Sequence, residues 1–168
     1  MKFRITSIIV GLSLLAALGC KKETLPDGMP KVNPITLVFT SDGSTPLEGA
    51  SITLVPENKE MTKWLAGGTT DEKGECVVRT LSRFNGAPAG KYKVIVQKTV
   101  IEGGGSEEVS DQAGGGGGGS VKSFHLVGQK FRDPNTTPLE IDIVDGTNPK
   151  VTLDTEKPVR ESISLSAG

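Results

Sequence analysis

The chain has 168 residues, with 19 lysines and arginines against 20 aspartates and glutamates, for a net charge of −1. Charge this balanced and scattered excludes a nucleic-acid surface, since phosphate binding needs a clustered basic patch. Twenty-two glycines and ten prolines beside 4% aromatics predict short strands and many turns.

The first element is a leader. Lys2 and Arg4 give a positive start, and Ile8 to Leu18 an apolar run. A run of about 7–15 residues suits a secretory signal and is too short to span about 30 Å of hydrocarbon as a helix. Ala17-Leu-Gly-Cys20 follows directly, and this resembles the lipobox of bacterial lipoproteins, with Ala17 where leucine is commonest. The resemblance implies cleavage before Cys20, a signal peptide over residues 1–19, and a diacylglycerol on the Cys20 sulfur. The bland alternatives are an ordinary leader in which Cys20 falls by chance, or an uncleaved anchor. Two or more acyl chains hold a protein stably on a bilayer where one does so marginally. The expected location is therefore exported and lipid-anchored to the cell envelope. Lys21, standing where an aspartate would signal inner-membrane retention, favours the outer membrane if the cell has one.

Residues 20–33 carry charge, proline and glycine without periodicity and read as a lipidated flexible tether. Without Lys2 and Arg4 the balance is 17 basic to 20 acidic residues, a net −3. From Pro34 onward, short apolar runs alternate with turn signals. Strands are expected over 35–40, 50–56, 75–80, 92–100, 139–144 and 151–153, with a further run at 65–70 before the turn Asp71-Glu-Lys-Gly74. The last two are expected to close the domain as a pair, joined by Asp145-Gly-Thr-Asn-Pro149. About seven strands and no helical period predict an all-β fold, a single antiparallel sandwich over 34–154. Residues 101–138 interrupt the rhythm with Gly103-Gly-Gly105 and Gly114 to Gly119, a flexible insertion. Its end, at 123–127 and 129–131, is expected to pack back onto the sandwich. That glycine run lacks the lysine and hydroxyl of a phosphate loop. Residues 155–168 read as a disordered polar tail.

The punctuation of residues 34–100 is distinctive. Asp42-Gly43, Pro46-Leu-Glu-Gly-Ala50, Ile52-Thr-Leu54, Thr70-Asp71-x-x-Gly74 and Ala89-Gly90-Lys-Tyr92-x-Val94-x-Val96 occur in that order. The pattern resembles the carboxypeptidase regulatory-like domain, which implies a seven-stranded transthyretin-like (prealbumin-like, Cna-B-type) sandwich. Read physically, Gly49 and Ala50 allow close approach where a strand begins. Thr70 and Asp71 can bond their own turn while Gly74 takes the left-handed position. Gly90 permits a bend, and Tyr92 buries its ring while its hydroxyl reaches nearby backbone, as in a tyrosine corner. These are residues of the fold rather than of a catalytic set.

Sharper chemistries find little support. The lysine and acid of a Cna-B isopeptide bond would fall near Phe39 and Thr40 and near Gln97 and Lys98, which do not match. Asp71, Glu72 and Glu75 could be offered as metal ligands, but a solvated hairpin accounts for them. His125 is the only histidine, and no Gly-x-Ser-x-Gly elbow accompanies it. Cys76, alone once Cys20 is committed to lipid, reads as a small buried apolar residue, with an intermolecular bridge or reactive thiol as the alternative. No catalytic residues, cofactor or metal are therefore expected. The leading reading is a non-enzymatic envelope lipoprotein, a structural or protein-interaction module whose partners are the membrane and an envelope protein. The alternative is a cell-surface carbohydrate or small-ligand binding module. Trp64, Phe124 and Phe131 gathered on one concave patch would favour it.

Overall fold

The computed structural model describes residues 24–102 and 122–163. The leader, Cys20 and the Gly114 to Gly119 run lie outside those residues. The described chain is almost wholly strands and turns, with two short 3-10 turns at Lys59–Met61 and Gln129–Phe131.

Eleven strands carry the architecture: β1 (Thr36–Ser41), β2 (Ser51–Pro56), β3 (Ala66–Thr69), β4 (Glu75–Val77), β5 (Arg79–Thr80), β6 (Gly90–Gln97), β7 (Thr99–Glu102), β8 (Lys122–His125), β9 (Glu140–Ile143), β10 (Lys150–Asp154) and β11 (Glu161–Ser162). One antiparallel sheet runs β9-β6-β2-β3-β5 and ends on the short piece Phe84–Asn85. The facing sheet is built on β1, which pairs with β10 on one side and with β4 and Thr45–Pro46 on the other. Strict alternation explains the packing: Leu37 and Phe39 of β1 point inward, as do Ile52 and Leu54 of β2 and Tyr92, Val94 and Val96 of β6. These side chains, with Ala50, Cys76, Val78, Ile141 and Ile143, form one core between the sheets.

Four expectations need correction. The sandwich is not purely antiparallel, because β10 runs parallel to β1. The two late strands do not pair with each other. β9 joins β6 in one sheet, and the turn at 145–149 carries the chain across to β1 in the other. The run 75–80 divides between the sheets, β4 on β1 and β5 on β3. Residues 92–100 likewise divide at Lys98, where β7 leaves to form a three-stranded sheet with β8 and β11. Alternation marks which side chains face inward. It does not mark the residue at which a strand changes sheets.

The margins also differ from expectation. Met29 is buried, and Val32–Asn33 pairs with Ala87–Pro88, so the final part of the tether belongs to the folded domain. The end of the segment 101–138 agrees with the sequence reading that 123–127 and 129–131 pack back onto the sandwich, since Val127 and Phe131 are core residues. The tail is held as far as Ile163, through backbone bonds from Thr155 to Thr40, Val159 to Leu126 and Ile163 to Ser123.

The strand registers give the sandwich two ends. At the proximal end lie residues 32–35, the loop 57–65, the segment 81–90 and the turn 144–149, since Thr36, Pro56, Ala66, Thr80, Tyr92, Ile143 and Lys150 are all register-matched there. At the distal end lie the turns 42–44 and 70–74, followed by the β7–β8 hairpin that frames residues 103–121.

Two distal features carry testable energetics. Gly74 has φ +73°, and a Cβ there would stand 2.3 Å from the Phe39 carbonyl oxygen. Gly74→Ala is expected to cost about 2–3 kcal/mol, through strain and displaced backbone, read as a lower urea midpoint. Asp154 accepts hydrogen bonds from Gly43 N at 2.9 Å, the Thr40 hydroxyl at 3.0 Å and Glu156 N at 3.1 Å. Partial burial works against its ionisation, but these donors outweigh it and hold the carboxyl below its ordinary value. Its stabilisation is therefore present above the unfolded pKa of about 4 and is lost as pH falls through the lower folded value. The loss of stability between pH 5 and 2 is expected to be shallower in Asp154→Asn than in the natural chain.

Candidate functional site

The residues singled out in the sequence fall into one structural cluster and several separated positions. Thr70 is buried, and its hydroxyl accepts from Ala50 N at 2.8 Å while donating to Leu47 O at 2.5 Å. Gly49, with φ +65°, donates its N–H to Thr70 O at 3.0 Å. Asp71 caps its own turn, its Oδ1 accepting from Lys73 N at 2.9 Å and Glu75 N at 2.8 Å. At the other end, Gly90 bends the chain with φ +144°, and the Tyr92 hydroxyl donates to Pro88 O at 2.8 Å. Burial pushes the Tyr92 phenol up to about 12, so it stays neutral. Every one of these polar atoms is spent on the fold.

The aromatic trio is dispersed. Phe131 lies in the core beneath β6. Trp64 is half-buried in the loop after Pro56, opposite Tyr92 at the proximal end of β6. Phe124 pairs with Val100 beyond the distal end of that strand, where the Arg160 guanidinium stands 4.0 Å from its ring centroid. No single patch holds the three. The observation that would have favoured a sugar platform is not met.

An open groove of about 900 Å³ lies over the seam where β3 faces β4 and β5. Its floor is Gly67 and Gly68: a Cβ on Gly67 would stand 2.2 Å from Ile52 O, and one on Gly68 2.8 Å from the Cys76 sulfur. Exposed Leu65, Val77 and Leu81 rim it. Its two carboxylates are engaged, Asp71 in its turn and Glu75 in an ion pair with Lys150 at 2.5 Å, and Arg79 is the third charged residue along it. The groove offers shape and apolar surface, without a nucleophile–base or acid–base pair.

His125 stands across the β7–β8 ladder from Thr99, its Nδ1 3.3 Å from the hydroxyl. Among the described residues no three His, Cys, Asp or Glu side chains stand close enough to hold a metal ion. Two ionic features went unread in the sequence: Asp154, which caps a turn 111 residues earlier, and Arg160, which pairs with Glu102 across the distal sheet. Neither has a local spacing signal, because both partners are remote in the chain.

Cys76 is fully buried on β4, opposite Leu37, and is a free thiol. Burial, reinforced by the Asp71 charge, pushes its pKa up to about 11, so the nucleophilic thiolate is scarce at neutral pH. A disulfide reagent is expected to leave Cys76 unmodified in native protein and to react with it once urea unfolds the chain. Prompt native-state labelling would contradict this burial.

Comparison with family models, curated proteins and solved structures finds no match to this chain.

Proposed function

We propose that the chain is a non-enzymatic envelope lipoprotein, held to a membrane by acyl chains on Cys20. Its single transthyretin-like sandwich, of the carboxypeptidase regulatory-like type, serves as a structural or protein-interaction module. The observation that carries this reading is the polarity of the sandwich. The chain comes in from its N-terminal side at the proximal end, while Glu102 and Lys122, which flank the glycine-rich segment, lie at the distal end. An anchored domain with this polarity keeps the β7–β8 hairpin away from the bilayer, where a partner can reach it. Among the described residues no helix is long and apolar enough to cross a membrane, which is compatible with attachment through lipid.

Anchoring is tested by metabolic labelling with a fatty-acid analogue. The natural chain is expected to take the label and Cys20→Ala to lose it, and equal labelling of both would overturn the anchor. The interaction role is tested by placing a photocrosslinking residue at Ile101, which is 69% exposed on β7. A discrete stoichiometric adduct with one envelope protein is the expected result. Adducts with glycan alone would shift the reading to ligand capture.

A further inference from the structure

We propose that the proximal end of the sandwich is a lipid-contact surface, which seats Trp64, Leu65, Leu81 and Val144 in the interfacial layer of the bilayer that holds Cys20. This rests on the anchored reading above and adds to it an orientation and a set of contacting residues.

Apolar exposure is concentrated at this end. The described residues expose five large apolar side chains. Leu65 at 58%, Leu81 at 42% and Val144 at 57% belong to proximal loops, and Val77 sits level with Thr36 at the foot of β1. Only Ile101 lies at the distal end. Leu81 N donates to Leu65 O at 2.8 Å, so these two residues are fixed side by side. Val144 follows β9, three strands from β3 in the same sheet, which at about 4.8 Å per strand places it about 14 Å away. The apolar residues thus span the end of one sheet instead of forming a single pit, a shape suited to a plane.

Trp64 precedes Leu65 on the same loop, with the Lys63 ammonium 5.3 Å from its ring centroid. The indole N–H is buried without a hydrogen-bond partner, so the half-buried ring meets the boundary with its apolar edge, beside lysines whose stems lie along apolar surface with their amines in water. The charges here are mixed: Lys59 and Lys63 share the loop with Glu57 and Glu60, and Lys31 pairs with Asp145 at 3.1 Å. Apolar and aromatic contact, rather than attraction to anionic lipid, therefore drives the seating.

The covalent tether selects lipid as the occupant. Met29 is the first buried residue among those described, so eight residues lie between it and Cys20, and the nine steps of chain reach at most about 32 Å in any conformation. The acyl chains thus keep the proximal end within that distance of the headgroups. At such an effective concentration, contacts too weak to recruit a free protein suffice to orient a bound one.

Trp64 is the sole tryptophan and reports its own depth. The full chain, produced in a bacterium that processes lipoproteins, is purified in detergent and returned to phosphatidylcholine vesicles with or without bromine on the acyl chains. Loss of Trp64 emission in the brominated vesicles, restored in a Leu65→Asp/Val144→Asp double variant, is the expected result. Both side chains are exposed, so the variant keeps its core. Acylated protein with equal emission in the two vesicle types overturns this inference and leaves the anchor standing. An N-terminal peptide without acyl mass overturns the anchor and this inference together.

Discussion

The hydroxyl of Thr70 holds the point where the two sheets are joined. It bonds Leu47 and Ala50 at once, tying the crossing from β1 to β2 to the start of the crossing from β3 to β4. Phe39 completes the junction, its N–H donating to Gly74 O at 2.8 Å and its carbonyl accepting from Leu47 N at 2.9 Å. A buried hydroxyl without partners would be costly, and one with two partners fixes both chains it touches. The approach of β1 to β2, and hence the depth of the core containing Leu37, Phe39, Leu54 and Val94, depends on this node.

That junction was legible only in part. Glycine with positive φ and an aspartate bonding its own turn leave a residue signature, as at Gly49, Asp71, Gly74 and Gly90. Thr70, expected to bond its own turn, bonds instead to Leu47 and Ala50, partners 23 and 20 residues away. The partition of strands between sheets was not legible, since period-2 alternation is the same in either sheet. The break at Val78 has no signature of its own, although it sends β4 and β5 to opposite sheets. The segment 155–163 misled for a different reason. Its composition is polar, but backbone bonds to Thr40, Leu126 and Ser123 fix it, and backbone bonding is blind to side-chain polarity.

The candidate site was the least legible part. Aromatic residues can be counted in a sequence, but whether they converge depends on strand register, and here register separates Trp64 from Phe124 by the length of β6. The groove over Gly67 and Gly68 could not be anticipated from paired glycines alone, which more often mark a bulge or bend. What the structure adds is a division of labour among side chains. Conspicuous polar residues are consumed by the fold, and three of the five large apolar residues left exposed, Leu65, Leu81 and Val144, sit on the loops of one end.

The parallel pairing of β10 with β1 has a mechanical consequence. Force entering at Ile35 and leaving beyond Asp154 would act along both strands in opposite directions. The ladder joins five residue pairs, from Lys150 with Thr36 to Asp154 with Thr40, and all five would be sheared together. An antiparallel pair pulled from adjacent ends would instead open one rung at a time. A domain tethered on one side and gripped on the other would therefore resist extension through its first and last core strands, with Asp154, bonded to Thr40 and Gly43, as the lock at the end of the ladder.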